Sequence, residues 1–301
     1  MKEIFCTVGP SSLNRKFLKG IAGMNVKLLR INLSHTDTRN LKKAIKKIKK
    51  CTNIPICVDT EGAQIRTVCG SRKFYKINKN IKIDNNKYSK NLSFYPNIFS
   101  QIKINSVLDI GFEDLKIKII NKRKNLIIAK VLNAGYLDKN KGVHIVNQKI
   151  KLPPLTKKDI ECIEIARKEG VKNFALSFTN SPKDVSYFNN LLVKEKKIFK
   201  IETKRAVQNI KSILNLCDAI LIDRGDLSKD ISLIKIPFTQ RKIQRIAKKK
   251  KKKVYVATNL LESMVQNSYP TRAELNDIYN CLELGADGLV LAAETAIGKW
   301  P

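Results

Sequence analysis

The 301-residue sequence predicts an α/β fold. It is a (β/α)8 TIM barrel, last helix missing, with a small all-β domain inserted after the third strand. Three observations carry this. Short apolar runs alternate with longer amphipathic ones, the rhythm of repeated βα units and so of a parallel sheet. Eight such strand runs occupy about 220 residues outside one interruption, which suits a closed eight-stranded barrel. Within the interruption, residues 67–150, the period changes to two, with polar turns between short runs. On pattern alone, an open doubly wound sheet is the alternative.

The elements follow in order. Residues 3–8 (EIFCTV) read as a strand closed by Gly9-Pro10, and Ser12 is expected to cap a helix near 15–22. Residues 25–33 (NVKLLRINL) form the second strand. Leu41, Ala44, Ile45 and Ile48 then share one face of a Lys-rich helix over 38–50. Residues 54–59 are the third strand. Alternating runs such as FEDLKIKII and NLIIAKVLN fill the insert. After Pro153-Pro154, Thr156 caps a helix to about 169, residues 173–178 are a strand, and Ser181 with Pro182 opens the next helix. Strands at 198–202, 219–223 and 254–258 alternate with helices at 204–215 and 238–252. Thr271 caps a helix over 272–284 that Gly285 stops, and 288–293 is the last strand. The barrel domain is thus 1–66 with 151–301, and the lid-like insert is 67–150. With no eighth helix to cover it, the last strand is expected to expose apolar surface.

Composition narrows the function. Hydrophobic residues make up 43% of the chain, enough for a core. No apolar stretch of about 18 residues marks a membrane span, and the first residues lack the pattern of a secretory signal. Lys and Arg exceed Asp and Glu by 59 to 26, a net charge of +33. The lysines are spread through every segment beside Ile and Asn (KKAIKKIKK, KIKIINKRK), as codon bias would leave them on solvated faces. Specific nucleic-acid binding is therefore not expected, although clustered cations would favour it. Seven cysteines show no CxxC spacing, which excludes a zinc quartet and suggests reduced thiols in the cytoplasm.

The chemistry should gather where the barrel strands end, the face on which such barrels carry their sites. Strand two ends in Arg30, Asn32, Ser34 and His35, and strand three in Asp59-Thr60. Lys200 and Glu202, two apart, share a face of strand five. Strand six runs into Arg224-Gly225-Asp226, strand seven ends in Thr258-Asn259, and strand eight reaches Glu294-Thr295. Glu202 and Asp226 offer the hard oxygens that Mg2+ or Mn2+ prefers. Asn32, Ser34, Asp59 and Thr60 could hold a larger monovalent cation. Arg30 and Lys200 suit anionic oxygens, and the set points to phosphoryl transfer. There is no Walker-type or kinase glycine loop.

These segments resemble pyruvate kinases in order along almost the whole chain. CTVGPSS at 6–12, GMNVKLLRINLSH at 23–35, VDTEGAQIRT at 58–67, KIET at 200–203, DRGDLS at 223–228 (against the family's ARGDLG), ATNLLESMVQNSYPTRAE at 257–274 and AAETAIGKWP at 292–301 carry the resemblance. It implies a barrel with a β lid, and phosphate transfer from phosphoenolpyruvate to ADP, giving ATP and pyruvate. It implies Glu202 and Asp226 as divalent-metal ligands, Lys200 as the phosphoryl-stabilising residue and Thr258 beside the enolate. It also implies Asn32, Ser34, Asp59 and Thr60 as a K+ site, and Arg30, His35, Arg66 and Gly225 as substrate or nucleotide contacts. A homo-oligomer fits the family. Departures are Ala292, Glu61, Gln64, Thr203, Asn259 and Asn180, and the family's C-terminal domain is not represented. The alternative is a catalytically impaired remnant kept as a basic binding protein.

Overall fold

The computed structural model describes every residue except 1, 63, 87–89, 112–113, 147 and 149. The chain divides into two compact units, residues 1–62 with 154–301, and residues 63–153. Those limits lie a few residues from the expected ones, and Arg66 consequently falls in the second unit.

In the first unit eight parallel strands close into a barrel. They are Glu3–Thr7, Val26–Asn32, Ile56–Asp59, Asn173–Leu176, Lys196–Ile201, Ala219–Asp223, Lys253–Ala257 and Gly288–Leu291, each beside its predecessor. The open-sheet alternative is excluded by the pairing of the first strand with the last, Glu3 opposite Gly288 through Cys6 opposite Leu291. That closure needs the glycine, because a Cβ on Gly288 would stand 2.2 Å from the Glu3 carbonyl oxygen.

Alternation along the strands divides the side chains between two cores. One set faces the barrel interior: Phe5, Leu28, Cys57, Ala175, Ile198, Leu221, Tyr255 and Val290 are buried together there. The other set, including Leu29, Ile31, Val58, Phe174, Phe199 and Ile222, packs under the helices. Helix Thr38–Cys51 buries Leu41, Ala44, Ile45 and Ile48, the stripe expected from their spacing. Each buried Leu or Ile of this kind contributes roughly 1.5–3 kcal/mol.

Thr156 and Thr271 cap their helices with reciprocal bonds to Asp159 and Glu274, and Gly285 stops its helix with φ of +97°. Three local expectations are corrected. Asn14, not Ser12, caps helix Arg15–Gly20, accepting from Phe17 N, while Ser12 Oγ accepts from Gly9 N and shapes the turn before it. The expected helix over 204–215 is two short helices, Lys204–Gln208 and Ile210–Leu214, joined at Asn209, whose side chain donates to the Asn180 carbonyl. Leu289 and Val290 of the last strand are buried, and Leu291 is half-buried. Leu289 is buried with Val256, Leu260, Cys281 and Ala286, under helix Arg272–Glu283.

The second unit is all β among its described residues. A five-stranded antiparallel sheet runs in the order Val143–Ile145, Val107–Ile110, Leu115–Lys122, Leu126–Asn133, Asn80–Asp84. Two-stranded ladders join Lys73–Tyr75 to Gly135–Leu137 and Arg66–Val68 to Ser93–Tyr95. Strand Leu115–Lys122 shows why the pattern is legible: Leu115, Ile117 and Ile119 are buried and the lysines between them are not. Phe112 and Glu113, at the head of the predicted run, lie outside the described residues.

Candidate active site

The interior apolar layer of the barrel is followed, two residues further along several strands, by a polar layer. Thr7 follows Phe5, Arg30 follows Leu28, Asp59 follows Cys57, Ser177 follows Ala175, Lys200 follows Ile198, and Asp223 follows Leu221. Period two keeps each pair on one face, so the six polar side chains enter the barrel axis just beyond the plug. Closure turns this sequence regularity into a single buried cluster.

Lys200 lies at its centre and is 3% exposed. Its Nζ is 2.7 Å from Glu202 Oε1, 3.2 Å from Asp59 Oδ2 and 3.2 Å from Asp223 Oδ2. It also donates to Ser177 Oγ at 3.2 Å. Burial alone would push the ammonium toward neutrality; the carboxylates of Asp59, Glu202 and Asp223 outweigh it and raise the group above its ordinary value. Lys200 is therefore a fixed positive charge. Arg30 is the second buried cation, with Nε and Nη2 at 2.6 and 2.5 Å from Asp59 Oδ2 and Nη1 donating to Thr7 Oγ1 at 3.0 Å.

Glu202 is 1% exposed. Its Oε2 accepts from Phe178 N, while Oε1 has the Lys200 ion pair but no contact of hydrogen-bond geometry. Burial pushes its carboxyl up to about 8, with Asp226 and Asp223 adding to the effect and Lys200 opposing it. Burial acts on Asp223 too, but there Lys200 and Arg30 prevail and hold the carboxyl low. Ligand oxygens of Glu202, Asp223 and Asp226 all lie within 4.8 Å of one another. Three carboxylates at this spacing match the hard-oxygen set that a small divalent cation takes. Asp226 also pairs with Lys229 at 2.7 Å.

Thr258 ends strand seven in the left-handed region, with φ of +68°, an uncommon conformation for a β-branched residue that costs about 1–3 kcal/mol. The turn brings its hydroxyl onto Gly225 N, which donates at 2.7 Å, and to 3.2 Å from Asp223 Oδ1. Above this layer opens a cleft of about 660 Å3. Arg30, Asn32, His35, Asp223, Gly225, Asp226 and Thr258 line it, together with the Gly9-Pro10 turn and Ala292.

The other predicted residues are placed as follows. Asn32 lies beside Asp59 in the ladder, and its Oδ1 accepts from Ser34 N at 2.9 Å. Asp59 and Thr60 are fully buried and already partnered: Asp59 Oδ1 and the Thr60 carbonyl both take the Ser177 hydroxyl, and Thr60 Oγ1 takes Ser177 N. Arg66 belongs to the second unit, where its Nη1 donates to the Asn140 carbonyl at 3.1 Å. Arg224 is structural. It bonds the Thr258 and Asn259 carbonyls and pairs with Asp277 at 2.6 Å, tying the ends of strands six and seven to helix Arg272–Glu283. Two departures from the family pattern meet each other, the Thr203 hydroxyl donating to Asn180 Oδ1 at 2.5 Å.

Sequence reasoning overlooked Asp223, Ser177 and Thr7. The signal that finds them is the polar residue two places after each interior apolar one, read across all strands together.

The family model described as pyruvate kinase, barrel domain, matches residues 1–301. The chain is 32% identical to the pyruvate kinase of Thermotoga maritima, over 99% of this chain and 67% of that protein. It is 34% and 35% identical to the pyruvate kinases of Staphylococcus saprophyticus and Staphylococcus epidermidis, over 99% of this chain and 54% of each. It thus spans between about half and two thirds of these relatives' length.

Proposed function

The chain belongs to the pyruvate kinase family, and we propose that it transfers a phosphoryl group from phosphoenolpyruvate to ADP in the cytoplasm, releasing pyruvate and ATP. The observation that carries this reading is the buried Lys200, held charged among Asp59, Glu202 and Asp223 beside Arg30 and the open cleft.

In this reading Glu202 and Asp226 hold Mg2+ or Mn2+, which when bound offsets charge on the substrate oxygens. Asn32, Ser34, Asp59 and Thr60 are the set for K+. The fit is looser there, because Ser177 already occupies oxygens of Asp59 and Thr60. Arg30 draws the anionic substrate into the cleft. Lys200 stabilises the charge that spreads over the phosphoryl oxygens in flight, and it does so without reorganising, since its partners already fix it. The P–O bond to the enol oxygen breaks as the bond to the terminal oxygen of ADP forms. The enolate left behind takes a proton at carbon on the side served by the Thr258 hydroxyl, which Gly225 and Asp223 orient. His35 and Gly225 are assigned to the phosphates and nucleotide.

A coupled assay for ADP-dependent pyruvate formation with Mg2+ present tests the proposal. Absence of turnover in the folded chain would favour the impaired-remnant alternative.

A further inference from the structure

Asp223 joins the two parts of the site. One carboxylate oxygen lies 3.2 Å from Lys200 Nζ, the other 3.2 Å from the Thr258 hydroxyl, and the side chain lines the cleft. Its oxygens come within 4.8 Å of those of Glu202 and Asp226. The related motif quoted above carries alanine at this position, so the carboxylate is a feature of this chain rather than of the motif.

Two further facts bear on what it does. Glu202 Oε1 is buried, and its close partner among the described residues is the Lys200 ammonium, which it shares with Asp59, Asp223 and Ser177. The buried carboxyls also outnumber the buried cations. Arg30 and Lys200 face Asp59, Glu202 and Asp223, a surplus of carboxyl groups before Asp226 at the cleft is counted. Lys200 cannot remove that surplus, because its ammonium has three N–H groups and already meets four oxygens, on Asp59, Glu202, Asp223 and Ser177. A divalent cation can. Affinity for such ions rises with the number of charged ligands in the site.

We propose that Asp223 is a third carboxylate ligand of the divalent cation, alongside Glu202 and Asp226, and gives this chain a tighter divalent-cation site than the two-carboxylate motif provides. The inference rests on the reading of Glu202 and Asp226 as metal ligands, and its test separates the two. Mn2+ is titrated into the full chain without substrates, and free Mn2+ is followed by electron paramagnetic resonance. Asp223→Asn and Asp223→Ala should each weaken Mn2+ binding by about 10-fold or more, on the scale of losing a supporting group at a metal site. Glu202→Gln should weaken it as well.

If both Asp223 variants bind Mn2+ as tightly as the starting chain while Glu202→Gln does not, the role of Asp223 is overturned and the site reading stands. If the starting chain shows no saturable Mn2+ binding, both fall. Should the alanine variant fail to fold by circular dichroism, the asparagine variant decides, since it preserves the side-chain shape and can still accept from Thr258.

Discussion

Replacing Lys200 with Met keeps the stem and removes the ammonium, so it separates charge from packing. Asp59 keeps its two bonds from Arg30, but Glu202 and Asp223 each lose their nearest cation. Removing one partner from a buried ion cluster costs about 3–5 kcal/mol. Glu202, pushed up to about 8, can take a proton near neutral pH and relieve part of the imbalance, which sets the expected loss near the lower limit, about 3 kcal/mol. Against a typical total of about 5–15 kcal/mol the variant still folds. The sign with pH is fixed as well. The folded-state pKa of Lys200 is raised, so its stabilisation is complete below the unfolded value and disappears only in strong alkali; the loss in the variant should thus be full at neutral pH. In turnover, loss of one preorganised charge should lower kcat by about 10²–10³-fold, with much less change in KM, because the contact matters most in the transition state. Urea denaturation at constant slope gives the first quantity and steady-state kinetics the second. Enolisation of pyruvate, followed by proton exchange, needs no phosphoryl clamp and should partly survive. A variant with unchanged urea midpoint and near-normal rates in both reactions would refute the assignment.

Other outcomes follow from the same structure. Asp226→Asn should abolish divalent-cation-dependent turnover while leaving the circular dichroism spectrum intact, because it removes a charged ligand at the edge of the cleft; retained activity would make Asp226 structural. Glu274 is a capping carboxylate: slight burial would raise it, but bonds from Ser263 and Thr271 prevail and hold it at about 2. Its stabilisation is present above the ordinary carboxylate range and lost as pH falls toward about 2, so Glu274→Gln should flatten the acid limb of the stability curve in that window. Of the seven cysteines only Cys51 is partly exposed, and burial pushes Cys57 and Cys217 up to about 12; a thiol reagent should therefore modify Cys51 first and the others only after unfolding. If the +33 charge is only a solvated surface, retention on nucleic acid should vanish at modest salt; saturable binding at about 0.2 M salt would contradict that.

Much of this protein is determined by the sequence alone, because the controlling signals are local. Period two and period 3.6 separate strand from helix within a few residues, and the strand-end residues Arg30, Asp59, Lys200, Glu202 and Thr258 stand out as polar groups ending apolar runs. The Thr156 and Thr271 caps depend on residues three positions away. What tertiary structure decided depends on groups far apart in the chain. Barrel closure, Glu3 against Gly288, sends six strand ends to one axis. Only there does Asp223 become a partner of Lys200 and Thr258, while the neighbouring Arg224 turns outward to Asp277. Asp223 ends its strand and Arg224 opens the short helix Arg224–Leu227, so the chain turns between them and one joins the site while the next makes a helix contact. Likewise Leu289, in a strand expected to expose apolar surface, is buried because helix Arg272–Glu283 packs over it with Cys281. Strand alternation assigns each side chain a face; closure and helix packing determine what that face meets.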